Sequence, residues 1–124
     1  AVLFCGTSVD PTNAKCVRAS AGALFHVEWA EREDAVAMVE ALRAAGVRSV
    51  ASVVRGGRPY DEVDLRGPVA VVVGSEAHGL PPEVAEAVDL AVTIPMAGRA
   101  ESLNVAMAGT VLCFEALRQR RAER

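Results

Sequence analysis

The chain has 124 residues, a length that favours a single domain, because two separate cores would each be too small to fold well. Its apolar runs are far shorter than a membrane span, and its N-terminus lacks the charged and apolar segments of a signal peptide. Three cysteines without CxxC spacing argue against a disulfide framework and against a metal site. The net charge of −3 excludes the overall positive field of many nucleic-acid-binding proteins, so any contact with RNA is expected to be local. Together these features predict a cytoplasmic protein with no membrane and no metal.

The first half of the chain alternates between strand and helix patterns. In order, it predicts a strand over 1–4, a helix over 12–21, a short strand over 23–29 and a helix over 31–45. Asp10 and Pro11 are expected to cap the first helix, and Gly46 stands where a C-cap glycine belongs. The opening strand has no helix or cap ahead of it. We therefore expect further residues of the same domain to precede this strand.

The second half continues the alternation. It predicts strands over 47–54, 69–73 and 90–94, helices over 82–87 and 103–120, and a polar loop over 55–67. The continuous run VAVVV (69–73) is typical of a parallel strand covered on both faces. This order predicts an α/β fold with a mainly parallel sheet, helices on both faces and right-handed crossovers.

A glycine-containing loop, Gly74–Pro81, follows the strand over 69–73, at a position where open α/β sheets bind ligands. Gly74 and Gly79 allow sharp turns and close approach to a nucleotide-like ligand. The loop matches neither the phosphate-binding nor the dinucleotide-binding glycine motif. Ser75 and His78 do not fit the spacing of a hydrolase nucleophile elbow.

A second loop, Ile94–Asn104, follows the strand over 90–94. Ser102 is expected to cap the last helix, with Glu101 and Asn104 crowding its first turn. Two interpretations stay open for this loop: a capped helix start, and a set of polar groups that binds a small ligand together with the first loop.

These loops carry a family resemblance. The segments VVVGSEAHGLP (71–81), TIPMAGRAESLNVAMAG (93–109) and FEALRQRR (114–121) resemble the second and third motifs of the SpoU (TrmH-type) branch of the SPOUT RNA methyltransferases. The earlier stretch SVDPTNAKCVRASAGALFHV (8–27) is also similar to that branch, so the resemblance covers nearly the whole chain.

The resemblance implies a Rossmann-like sheet whose C-terminal part is tied in a deep trefoil knot, an exception to the usual absence of knots. It also implies an obligate homodimer that binds S-adenosylmethionine in the knot. The implied reaction transfers a methyl group to a ribose 2′-hydroxyl of rRNA or tRNA.

The resemblance also implies site residues. The cofactor-binding set is Gly74, Ser75, Gly79, Ile94, Met96, Ser102 and Leu103, and the catalytic set is Glu76, Ser102 and Asn104. Ile94, Met96 and Leu103 are expected to form an apolar wall for the adenine ring.

In this family an arginine of a first motif, Asn-x-Gly-x-x-x-Arg, is assigned to deprotonate the hydroxyl, and that motif is not present in the chain. Arg18 matches a different family position, and His26 and His78 are candidates by residue type only. We therefore expect residues 1–124 to be an N-terminally incomplete catalytic domain, without the first motif or any RNA-binding domain. Such a segment is expected to bind the cofactor weakly and to be inactive alone.

Several interpretations stay open beside this one. The chain is alternatively a catalytically silent RNA-binding and dimerisation module that retains the knot. The arginine clusters Arg55 with Arg58, and Arg118 with Arg120 and Arg121, are suited to phosphates and bases or simply to a solvated surface and a helix C-terminus. In the last helix Val105, Leu112 and Leu117 are equally consistent with a dimer contact and with packing inside the subunit.

Overall fold

The computed structural model describes residues 1–98, 100 and 102–122. These residues form two compact units, Ala1–Met38 and Val39–Arg124. The α/β class and the parallel pairing of strands are confirmed, and the strands form two sheets where the sequence predicts one. The assignment of the whole chain to one incomplete domain stays a prediction.

The first unit is built around one pair of parallel strands. In chain order it contains β1 (Val2–Cys5), α1 (Ala14–Ala19), a 3-10 turn (Ala23–Phe25) and β2 (Trp29–Arg32). Val2 is in register with Trp29, and the Phe4 ring meets the Trp29 ring edge-on, with centroids 6.3 Å apart. This edge-to-face geometry is one of the two arrangements that aromatic ring pairs prefer.

The start of α1 differs from the prediction. Asp10 accepts hydrogen bonds from the Thr12 amide (2.8 Å) and hydroxyl (2.7 Å), and so closes a turn ahead of the helix. The capping residue is Asn13, whose side-chain oxygen accepts from the Lys15 amide at 2.9 Å. The predicted cap at Asp10 is therefore wrong, because Asp10 is engaged in the preceding turn.

The strand predicted over 23–29 is also wrong. Ala21 (φ +48°) and Gly22 (φ +88°) lie in the left-handed region and lead into the 3-10 turn. Strand pairing begins only at Trp29. The apolar residues of this segment therefore follow a turn that Gly22 makes possible.

Helix α2 (Ala35–Ala44) is preceded by Asp34, whose carboxylate caps it by accepting from the Ala37 amide at 3.0 Å. Gly46 (φ +75°) follows the helix, and its amide donates to the Arg43 carbonyl at 3.0 Å. The predicted C-cap glycine is confirmed.

The second unit contains a four-stranded parallel sheet in the order β4-β6-β3-β5. Its elements are β3 (Arg48–Ser52), β4 (Arg58–Pro59), β5 (Val69–Val72), α3 (Pro82–Ala87), β6 (Leu90–Thr93) and α4 (Val105–Ala122). β3 lies between β5 and β6, so the carboxyl ends of these three strands are neighbours. That edge of the sheet is the usual position of ligand sites in α/β folds.

The core of the second unit lies between the sheet and α4. Its buried members are Val50, Val63, Leu65, Val92, Leu112 and Ala116. Leu112 is fully buried, which assigns this residue to the subunit core and removes it from the predicted dimer contact. Val63 and Leu65 belong to the predicted polar loop, which instead contains β4, a 3-10 turn over Tyr60–Glu62 and two core side chains.

The end of α4 holds the segment that precedes β5. The Gln119 side chain accepts from the Leu65 amide at 2.7 Å and donates to the Val63 carbonyl at 2.9 Å. Arg120 donates to the carbonyls of Arg66 (3.0 Å) and Gly67 (2.9 Å). These bonds satisfy backbone groups that no strand partner reaches.

Asp89, immediately before β6, links three elements. Its carboxylate accepts from the Ser49 amide and hydroxyl, each at 2.8 Å, and from Arg43 Nε at 2.6 Å. The Ser49 amide bond first, and then Arg43, lower the pKa of Asp89 to about 2. The ionised carboxylate therefore stabilises the junction of α2, β3 and β6.

Candidate functional site

A cavity of about 290 Å³ lies in the second unit, where β3, β5 and β6 end and α4 begins. Its lining residues are Ser52, Val53, Val54, Val73, Gly74, Ser75, Glu76, Ile94, Met96, Ser102, Leu103, Asn104, Val105 and Ala108. The cavity thus combines three strand ends with one helix start, and its size is at the lower end for small-molecule sites.

The loop after β5 is folded back on itself. The amide of Ser75 donates to the Gly79 carbonyl at 3.1 Å, and the Gly79 amide donates to the Ser75 carbonyl at 2.9 Å. A Cβ on Gly74 would overlap the backbone of Gly79 and Leu80, well inside the 3.0 Å that real Cβ atoms essentially never cross. A glycine is therefore required at position 74, because the backbone of the same loop packs directly against it. The sequence analysis explained this glycine by close approach to a ligand.

Glu76 and Asn104 connect two walls of the cavity. The Asn104 side-chain amide donates to a Glu76 carboxylate oxygen. The side-chain oxygen of Asn104 accepts from the Ala106 amide at 2.9 Å, so Asn104 also caps α4. The cap predicted at Ser102 is wrong, because α4 begins at Val105 and Asn104 is the residue before it.

The cavity lining includes both apolar and polar groups. Ile94, Met96 and Leu103 are half-buried, whereas Ser102 and Glu76 are exposed. The walls therefore offer an apolar surface beside hydroxyl, amide and carboxylate groups.

Comparison with known proteins identifies the family. Residues 1–114 match the model of the SpoU rRNA Methylase family. The chain belongs to this family. No helix in the described part of the chain is both long and apolar enough to cross a membrane.

One relative is the 23S rRNA (guanosine(2553)-2′-O)-methyltransferase RlmP of Bacillus subtilis, 33% identical over 114 residues that make up 92% of this chain and 46% of RlmP. Among solved structures, the AdoMet-bound rRNA methyltransferase of Sinorhizobium meliloti superimposes with a TM-score of 0.86 at 37% identity, covering 94% of this chain and 44% of that one. The SpoU methyltransferase AviRb of Streptomyces viridochromogenes, in complex with AdoMet, gives 0.86 at 34% identity, covering 97% and 49%. The chain therefore spans slightly less than half the length of each of these three proteins.

Most of the site residues that the SpoU resemblance implied lie together. Gly74, Ser75, Glu76, Ile94, Met96, Ser102, Leu103 and Asn104 all line the cavity. Gly79 does not line it, because Gly79 shapes the loop through its bonds to Ser75. The individual roles of these residues stay predictions.

The sequence analysis missed the end of β3. Ser52, Val53 and Val54 line the cavity, and in the sequence they are indistinguishable from core strand residues. The available signal was the strand order: a strand that lies between two site-forming strands ends at the same edge of the sheet.

The other candidates by residue type are not among the residues that line the cavity. Arg18 and His26 are exposed in the first unit, and His78 is exposed on the loop after β5, where its amide donates to Ser75 Oγ at 3.1 Å. Glu101 lies outside the described residues. Among the described lining residues, Glu76 is the one with an ionisable side chain, and none is basic.

The two arginine clusters differ in their contacts. Arg118 pairs with the buried Glu115 at 2.7 Å, and Arg120 holds the carbonyls before β5. Hydrogen bonding from Arg118 lowers the pKa of Glu115. These two arginines therefore have a structural role, whereas Arg55 and Arg58 are exposed beside the end of β3.

Proposed function

We propose that this chain supplies the S-adenosylmethionine-binding pocket of an RNA methyltransferase that modifies a ribose 2′-hydroxyl of rRNA or tRNA in the cytoplasm. The observation that carries the proposal is the convergence of eight implied site residues on one cavity at the carboxyl ends of β3, β5 and β6. The name of RlmP states a 2′-O-methyltransferase activity, and two structural relatives are AdoMet complexes, which supports the same assignment here.

The lining residues fit this cofactor. An adenosine group needs an apolar slot for its purine ring and polar partners for its hydroxyl groups. Ile94, Met96 and Leu103 supply the apolar surface, and Ser52 and Ser102 supply hydroxyls. When bound, S-adenosylmethionine supplies an electrophilic methyl group on a sulfonium.

Glu76 and Asn104 are proposed to position the reacting groups. Their hydrogen bond fixes the carboxylate of the first loop to the start of α4. A ribose hydroxyl is a poor nucleophile at neutral pH, so its alignment and the removal of its proton both contribute to the rate. The bonded pair contributes the alignment.

The proton acceptor is proposed to come from outside this pocket. No basic side chain is found among the lining residues that the structure describes. This agrees with the family's use of an arginine in a first motif that residues 1–124 do not contain. We therefore expect the isolated 124-residue chain to bind the cofactor weakly and to transfer no methyl group.

The knot and the homodimer are part of the same proposal. We propose that the loops after β5 and β6 belong to a trefoil knot, which is consistent with their shared cavity. For the dimer, α4 exposes Met107 (54%), Phe114 (68%) and Leu117 (40%), which share one face at helical spacing. A second copy covering this face would bury apolar surface that is now in water.

The decisive experiment maps ribose methylation across RNA from cells with and without the full gene. A 2′-O-methyl group that disappears with the gene and returns with its expression supports the enzyme. Calorimetric titration of the purified full gene product with S-adenosylmethionine tests the pocket separately. Cofactor binding with no change in any RNA position would favour the catalytically silent module instead.

A further inference from the structure

The chemistry of RNA places a phosphate near any pocket that receives a ribose 2′-hydroxyl. The hydroxyl is on the carbon next to the one that carries the 3′ phosphate, so both groups approach together. The chain has a net charge of −3, and the ionisable lining residue in its described part is Glu76. Binding of a phosphate at this rim therefore needs cations placed close to the cavity.

Two arginines occupy such a position. Arg55 directly follows Val54, the last lining residue from the end of β3. Arg58 begins β4 and pairs in register with Val92 of β6, two residues before the lining residue Ile94. The segment with both arginines thus runs between two walls of the cavity.

This segment is held firmly against β6. Gly56 turns the chain at φ +81°, and the Gly57 amide donates to Thr93 Oγ1 at 3.0 Å. A Cβ on Gly57 would lie 2.6 Å from the Val92 carbonyl carbon, so the glycine allows the backbone to pack directly on β6. The two arginines therefore extend from a fixed support, which lowers the entropy lost on binding.

The guanidinium of Arg55 is available to bind a ligand. Within residues 1–98, 100 and 102–122, Arg55 has no hydrogen-bond or ion-pair partner, and its side chain is exposed. Arg58 is exposed and uses one Nη2 bond to the Glu62 carbonyl at 3.2 Å. By contrast, Arg43 and Arg118 are paired with carboxylates.

We propose that Arg55 and Arg58 bind the RNA phosphates next to the target ribose. The inference rests on the proposed function, because it takes RNA as the substrate of the adjoining pocket. A guanidinium presents parallel N–H donors that match phosphate oxygens. The two residues would then supply locally the positive charge that the whole chain lacks.

The test uses the full gene product, RNA from cells that lack the gene, and S-adenosylmethionine with a labelled methyl group. We expect the double substitution Arg55→Ala, Arg58→Ala to raise KM for RNA roughly tenfold, with cofactor Kd unchanged. The slope of log affinity for RNA against log salt should become shallower by about 1.4, because each lost phosphate contact contributes about 0.7 on single strands. The double substitution Arg55→Lys, Arg58→Lys should recover most of the salt slope, since it retains both positive charges.

Arg121→Ala is the matched control. It removes one positive charge, half of what the double variant removes, from an exposed position sixteen residues along α4 from Val105, about 24 Å from the cavity end of the helix. If the control changes KM and the salt slope as much per charge removed as the double variant does, the proposal is overturned. A double variant with wild-type KM and salt slope, or one with weakened cofactor binding, would overturn it as well. A wild-type protein that binds S-adenosylmethionine and transfers no label would instead overturn the proposed function itself.

Discussion

Gly74→Ala tests whether the loop after β5 shapes the cofactor pocket. The added Cβ would overlap the backbone of Gly79 and Leu80, so the loop has to open. Opening breaks the two hydrogen bonds between Ser75 and Gly79, of 3.1 and 2.9 Å, each worth about 1 kcal/mol net. We expect the free energy of unfolding to fall by about 2 kcal/mol.

The same substitution should also weaken cofactor binding. Val73, Gly74, Ser75 and Glu76 all line the cavity, and all four move when the loop opens. We expect the affinity for S-adenosylmethionine to fall by at least about tenfold, the equivalent of ~1.4 kcal/mol. Urea unfolding and calorimetric titration of the full gene product measure the two quantities.

Two glycines serve as controls for this substitution. Gly67 has nothing within 4 Å of an added Cβ, and its φ lies outside the left-handed region, so Gly67→Ala should leave stability and binding near wild type. Gly79→Ala has space but a φ of +67°, so strain alone should cost roughly 1 kcal/mol. If Gly74→Ala has the same free energy of unfolding and the same affinity for S-adenosylmethionine as Gly67→Ala, the close approach within the loop does not shape the pocket.

Three further outcomes are expected. Leu112→Ala should lower the free energy of unfolding by about 2–5 kcal/mol in chemical denaturation, because Leu112 is fully buried; a loss below ~1 kcal/mol would place it outside the core. Asp89→Asn should lower the free energy of unfolding by roughly 1–2 kcal/mol at pH 7. The difference from wild type should shrink as the pH falls from about 4 towards 2, because the pKa of Asp89 is lowered from 3.8 to about 2 in the folded state. A difference in unfolding free energy that does not change with pH would contradict this. Asn104→Ala should reduce methyl transfer and cost about 1 kcal/mol of stability, whereas Asn104→Ser should keep the helix cap but lose the bond to Glu76 and stay impaired; full transfer activity in Asn104→Ala would remove the positioning role.

Sequence patterns predicted the elements whose signals are local. The helix over 82–87 and the C-cap at Gly46 follow from a proline at a helix start and a left-handed glycine at a helix end. The segment over 23–29 was not predictable in this way, because its apolar residues suit a strand and the 3-10 turn depends on the conformation of Ala21 and Gly22. Where pairing starts in β2 is decided by register with β1, which a local pattern does not contain.

The residues of the candidate site likewise fall into those that the sequence indicated and those that only the structure reveals. Asn104 stood out because polar groups cluster in the loop after β6, whereas Glu76 was implied by the SpoU resemblance. The structure brings the two side chains together in one cavity. The contribution of Ser52 depends on the order of strands in the sheet, which only the three-dimensional structure provides. Gly79 differs from these residues, because its backbone is bonded to Ser75 within the loop and it does not line the cavity; its contact with a ligand stays a prediction.

The contacts of the Gln119 side chain limit how far the chain can be truncated at its C-terminal end. A chain that stopped at residue 114, where the family match ends, would keep every described lining residue of the cavity. It would nevertheless lose the partner of the Leu65 amide and the Val63 carbonyl, and with it the support for two core side chains. The last turns of α4 are therefore part of the cooperative folding unit, and the boundary of sequence similarity is not a boundary of stability.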